Sequence, residues 1–209
     1  MAWPLSLLAA AVLGTAYGPI SVLLALFGEV AVGSAAGGLP KSVSIAVVAP
    51  VIEELSKGMS FLVLPGLVAR VLGALLRPAI RRGEDSLLGN AARFMVEAVR
   101  ESGRGVSGPL VLGATTALVF GTIENFFYAV WSLKLGPLAP IVVGVTRTFV
   151  SLPVHVLATS SFAFLYGLVW RVVGSRWVGA LSGYVSAVLI HAAFNFSILY
   201  LRYKAVHAR

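Results

Sequence analysis

Between residues 4 and 27 the chain carries no charged side chain, and four further long stretches, 42–68, 108–133, 138–173 and 178–201, are predominantly apolar. About 20 such residues make a helix long enough to cross the hydrocarbon of a bilayer. In hydrocarbon a helix satisfies its backbone polar groups within itself. Only 11% of the residues are charged and 58% are hydrophobic, whereas a soluble domain carries about 25% charged residues. That ratio cannot cover a water-facing surface, which excludes a soluble enzyme, a disordered chain and a simple nucleic-acid binder. The sequence predicts an all-α fold: one integral membrane domain over 1–209, a polytopic transmembrane bundle of five or six spans.

The expected spans are uneven. The first, 4–27, bends at Pro19. The second holds Pro50, Glu53, Glu54, Lys57 and Pro65. The fourth is long and is expected to break near Pro153. A small-residue, glycine-rich loop is expected over 30–40. No basic residue precedes the first apolar run, so that run reads as a span rather than a cleaved signal peptide. There is no cysteine, which excludes disulfides, thiolate zinc sites and iron–sulfur clusters.

Sixteen Lys and Arg stand against eight Asp and Glu, a net charge of +8. Seven of those bases fall between Arg70 and Arg104. They mark 70–105 as a basic loop held on the cytoplasmic side, since basic loops set orientation by the positive-inside rule. The charge therefore calls for no nucleic-acid partner; the partner it implies is the lipid bilayer. Within the loop, Leu87, Leu88, Ala91, Phe94, Met95 and Ala98 recur at helical spacing. They predict an amphipathic helix, lying on the membrane surface or docked on the protein. On this topology Arg202, Lys204 and Arg209 lie outside, against the rule. Abundant Val, Gly, Ala and Arg without Cys suits a multi-pass protein of a prokaryotic cytoplasmic membrane.

An ionisable group in hydrocarbon costs about 2.5–3.5 kcal/mol on insertion scales and needs a reason to be there. The spans hold Glu53, Glu54, Lys57, Glu124, Asn125, Arg147, His155, His191 and Asn195. In alternating spans Glu53, Glu124, His155 and His191 come to depths within roughly 12 Å of one another, at 1.5 Å per residue. Glu53 and Lys57 share a helical face, as do Glu124 and Tyr128, His155 and Thr159, and His191 and Asn195. Four spans thus offer polar groups to one interior.

Imidazoles and carboxylates suit a divalent metal, zinc first. A metal acidifies water, a remaining glutamate can take the proton, and Asn195 or a backbone amide can stabilise an oxyanion. These are the parts of peptide hydrolysis. Three other readings use the same residues. In a non-catalytic scaffold or chaperone subunit the cluster holds helices together. In a haem or quinone redox protein His155 and His191 are axial ligands. A transporter or proton channel accounts for the inward carboxylates, although no internal repeat is visible.

The ordered motifs Glu53-Glu54-x-x-Lys57, Glu124-Asn125-x-x-Tyr128, Arg147 followed by Pro153 and His155, and His191-x-x-x-Asn195 resemble the PrsW family of intramembrane proteases. That family groups with the CAAX-prenyl and bacteriocin-processing enzymes. The resemblance covers roughly 42–201 without the basic loop. It implies a metal-dependent endopeptidase acting on membrane-protein or membrane-anchored peptide substrates. It implies Glu53 and Glu54 as activating base or ligand, with Lys57 orienting one of them. It also implies Glu124, His155 and His191 at the metal and Asn195 as ligand or oxyanion donor; Asn125, Tyr128 and Arg147 fall within the motifs, and Thr159 shares the His155 face, as supporting residues. The chain departs from the family pattern in the long 70–104 insert and at Ser107-Gly108-Pro109, where an acidic residue is expected.

Overall fold

The computed structural model describes residues 3–35, 39–82 and 87–207. Parts of the two expected loops, 36–38 and 83–86, and Arg209 of the tail lie outside that range. All regular structure among the described residues is helical, with no strand. Ten α-helices follow in order: α1 (Trp3–Ala35), α2 (Lys41–Val43), α3 (Ala49–Leu62), α4 (Leu64–Leu75), α5 (Arg77–Arg82), α6 (Leu87–Ser102), α7 (Ser107–Ser132), α8 (Ala139–Phe149), α9 (Ser151–Val173) and α10 (Arg176–His207). A single π-helical stretch, Ser44–Val48, joins α2 to α3. Five segments are long and apolar enough to cross a membrane: Pro4–Ala35, Lys41–Leu75, Ser107–Leu135, Ala139–Val173 and Arg176–His207. The first runs eight residues past its expected end and takes in Glu29.

Prolines set the breaks. A proline cannot donate to the carbonyl four residues back, and its ring clashes there. Pro153 sits in the first turn of α9, and the fourth span breaks at Val150, next to the Phe149 carbonyl that Pro153 cannot serve. Pro65 likewise stands just inside α4, and the second span breaks at Val63. Pro50 follows the π-helical stretch, in which the Ala49 N–H passes to the Ser44 carbonyl. Pro19 remains inside α1.

Small residues let the helices approach. A Cβ at Gly14 would meet Thr115, and one at Gly18 would meet Val119, so α1 and α7 run parallel in close contact. Gly179 and Gly183 place α10 against the Tyr166 and Phe162 carbonyls of α9. Both pairs are spaced four apart, the small-residue pattern of membrane helix interfaces. Phe61 and Phe162 meet edge to face at 4.9 Å in the core beside Leu112 and Tyr166. Phe27, Trp131, Phe149 and Leu189 point outward, as side chains facing lipid do.

Arg70, Arg77, Arg81, Arg93, Arg100 and Arg104, with Arg171 and Arg176, gather at the end where α1 and α7 begin. Lys41, Lys134, Arg202 and Lys204 lie at the other end. Helix α6 docks on the protein, against α4 and the start of α1, through Gly89, Ala92, Val96 and Val99. The expected apolar stripe is a different face: Leu87, Leu88, Ala91, Phe94 and Met95 are exposed, and only Ala98 is buried. Small residues took the docked face because they admit the neighbouring backbones, which left the large side chains outside.

Candidate active site

Helices α3, α7, α9 and α10 bring Glu53, Glu54, Lys57, Glu124, His155, Thr159 and His191 into one buried cluster. Lys57 has no exposed surface. Its Nζ donates to Glu54 Oε1 at 2.6 Å and to His155 Nδ1 at 3.2 Å, and it stands 4.5 Å from the centre of the Phe120 ring. Glu54 is equally buried and fully bonded. Oε1 faces Lys57 and His191 Nδ1 (3.0 Å), and Oε2 accepts from the Thr159 hydroxyl at 2.8 Å.

Glu53 differs. Its Oε2 is buried with no hydrogen bond, 3.6 Å from Lys57 Nζ, 3.6 Å from His155 Nδ1 and 3.9 Å from His191 Nε2. Partners assign the imidazole protons. His191 Nδ1 donates to Glu54, leaving a lone pair on Nε2. His155 Nε2 lies 2.8 Å from Glu124 Oε2, an ion-pair contact without hydrogen-bond geometry, and its Nδ1 accepts from Lys57. Glu53 Oε2 and His191 Nε2 thus face each other at 3.9 Å with no hydrogen bond to the oxygen, and a metal cation between them would engage both.

Glu124 carries the second half of the site. Arg147 Nη2 is 2.8 Å from Glu124 Oε2, Arg147 Nε donates to Asn125 Oδ1 at 2.9 Å, and the guanidinium lies 3.7 Å over the Tyr128 ring. One arginine from α8 therefore holds all three residues of Glu124-Asn125-x-x-Tyr128. Asn125 is buried, its Nδ2 has no partner, and it lines a cleft of about 300 Å³ between α7 and the α8–α9 junction, with Thr122, Gly144 and Thr148. Helix α8, the outer wall of that cleft, has no buried residue. Of the aromatic run beside it, Phe120 is core, while Phe126 and Phe127 face outward.

Asn195 is held elsewhere: its Nδ2 donates to the Ile45 carbonyl at 3.0 Å. The reason is local. In the π register Ile45 should accept from residue 50, and Pro50 has no N–H. Glu29, which the sequence reading passed over, interacts electrostatically with Glu124 and Glu53 from α1. The signal for it was an acidic residue within two residues of an assumed span end.

The residues fit a divalent metal once His155 Nδ1 exchanges its Lys57 hydrogen bond for the ion. Among the described residues, the Glu53, His155 and His191 group places its ligand atoms within 4.8 Å of one another, all buried. Each imidazole is backed by a carboxylate, Glu54 behind His191 and Glu124 behind His155, the outer-shell arrangement usual for metal-binding histidines. Carboxyl groups outnumber cations here: Glu29, Glu53, Glu54 and Glu124 stand against Lys57 and Arg147. A buried cluster of acids and imidazoles among five apolar spans is the arrangement a metal-dependent intramembrane enzyme needs. The sequence model for PrsW family intramembrane metalloproteases matches residues 3–208, and the chain belongs to that family. No curated protein and no solved structure matches the chain.

Proposed function

We propose that this protein hydrolyses peptide bonds of membrane-protein or membrane-anchored substrates inside the bilayer, with zinc held by Glu53, His155 and His191. The observation that carries this reading is the buried, unbonded Glu53 Oε2 facing two histidines. Two histidines and a carboxylate form a common catalytic zinc set, with a position left open. Such a metal supplies Lewis acidity, polarising a carbonyl and acidifying water.

The protein's own groups do the rest. Glu54, bonded on both oxygens to Lys57, His191 and Thr159, is a positioning residue for His191. Glu124 orients His155 through Oε2. Its side chain is about one-fifth exposed, unlike those of Glu53 and Glu54, so its Oε1 takes the proton of the attacking water and returns it to the leaving amine. Arg147 pairs with Glu124 at 2.8 Å and holds its carboxylate in place. The substrate backbone lies in the α7–α8 cleft, where Asn125 Nδ2 donates to the carbonyl under attack. Arg147 on Oδ1 fixes which way that amide faces. Asn195 stabilises the π-helical stretch rather than an oxyanion.

The experiment is cleavage of a library of membrane-anchored fluorogenic peptides by the protein in vesicles. Wild type is expected to cut at least one sequence, and Glu53→Gln none at a detectable rate. Equal cleavage by both sinks the reading.

A further inference from the structure

A cavity of about 390 Å³ opens at the basic end of the bundle, where the α6–α7 elbow meets the α9–α10 turn. Its lining is Arg104 and Gly105 from the elbow, Gly167, Trp170 and Arg171 from α9, and Arg176 from the start of α10. It is remote from the acidic cluster: Trp170 follows His155 by 15 residues on one helix, about 22 Å at 1.5 Å per residue. A Cβ at Gly167 would meet the Gly105 carbonyl, so α9 rests directly on the main chain of the elbow and the cavity wall is fixed. Gly105 itself has φ of 66°, a left-handed turn that glycine takes without strain.

Three guanidiniums line this one cavity, and only Arg104 has carboxylate partners, Glu101 at 2.5 Å and Glu97 at 4.0 Å. Arg176 lies 4.1 Å over the Trp170 ring, which fixes its plane. Arg171 has no ion pair among the described residues. Arg171 and Arg176 are exposed, and an anion seated among the three would relieve their mutual repulsion. Planar guanidiniums bind phosphate through paired donors, and about 300–1,000 Å³ is the usual size of a small-ligand site. At the same end of the bundle Val172, Val173 and Trp177 are 75%, 59% and 85% exposed. A soluble anion gains nothing from exposed apolar side chains at this end, whereas acyl chains lie along them.

We propose that this cavity binds a phosphate ester group, carried by an anionic phospholipid of the leaflet at the basic end. Basic pockets between membrane helices on the cytoplasmic side hold anionic head groups in this way.

The test is native mass spectrometry of the full chain in detergent, with phosphatidylglycerol against phosphatidylcholine of the same chains, and inorganic phosphate as a separate arm. Wild type is expected to retain phosphatidylglycerol preferentially. Arg171→Gln/Arg176→Gln lowers that preference by about tenfold or more, while Arg202→Gln/Lys204→Gln at the far end leaves it intact. Should the double variant fail to fold, Arg171→Lys keeps the charge, loses the fork and is expected to lose part of the preference. Equal retention of both lipids by wild type, or a preference that survives both cavity variants or falls equally with the far-end pair, overturns the proposal. Inorganic phosphate binding at the cavity without any lipid preference makes a soluble phosphate the ligand and overturns the lipid assignment.

Discussion

Glu53 and Glu54 are adjacent in the chain and opposite in bonding: Glu54 is hydrogen-bonded through both carboxylate oxygens, while Glu53 Oε2 is buried without a hydrogen bond. Successive helical residues point about 100° apart, so one faces Lys57, Thr159 and His191 while the other turns toward the gap between the imidazoles. Substitution should separate them. Glu54→Gln removes the nearer carboxylate of the buried Lys57 ammonium, leaving Glu53 at 3.6 Å, and is expected to cost about 3–5 kcal/mol of stability. Glu53→Gln is expected to change stability by less than about 1 kcal/mol and to abolish cleavage. Thermal unfolding in detergent, read beside activity, checks both; equal destabilisation by the two would contradict the division of labour.

Asn195 and Pro50 form a coupled pair through Ile45. Asn195→Ala leaves the Ile45 carbonyl without a partner, at about 1–3 kcal/mol. Pro50→Ala restores an N–H at the position that would serve that carbonyl. In the Pro50→Ala background the cost of Asn195→Ala should therefore shrink, giving a coupling energy on the order of 1 kcal/mol in a double-mutant cycle. Strict additivity of the two unfolding free energies would refute the proline account of the π-helical stretch.

Arg147 reaches Glu124, Asn125 and Tyr128 with three different parts of one guanidinium. Lysine keeps the charge and loses the fork. Arg147→Lys is expected to fold normally and lower kcat/KM by about 10–100-fold, the usual scale for an orienting partner. Asn125→Asp retains the Oδ1 acceptor for Arg147 but loses the donor, and is expected to lower kcat by about 10²–10³. Unchanged kcat in Asn125→Asp would remove the amide from the transition state.

Much of this arrangement was legible in the sequence, and the gaps have physical causes. Five spans follow from apolar length alone. Four polar motifs meet at one depth because an ion in hydrocarbon must find a partner, and the structure brings Glu53, Glu54, Lys57, Glu124, His155, Thr159 and His191 together. Which carboxylate stays bare was not legible, since it turns on a 100° rotation and on Thr159 105 residues away. Asn195 shares a helical face with His191, yet the missing N–H of Pro50 draws its amide to Ile45. The docked face of α6 was missed because Leu87, Phe94 and Met95 dominate hydrophobic periodicity, while Gly89 and Ala92, which fit against α1 and α4, barely register.

Bound metal is the most direct measure of the central claim. Elemental analysis of the purified chain is expected to find about one zinc per chain in wild type, in keeping with a three-ligand site with one open position. Glu53→Gln/His191→Ala should lose it, and Asn195→Ala should keep it. Cleavage activity should vanish with a chelator and return with added metal. A fully active preparation that contains no divalent metal, or a metal content that the Glu53→Gln/His191→Ala pair leaves unchanged, would contradict the account.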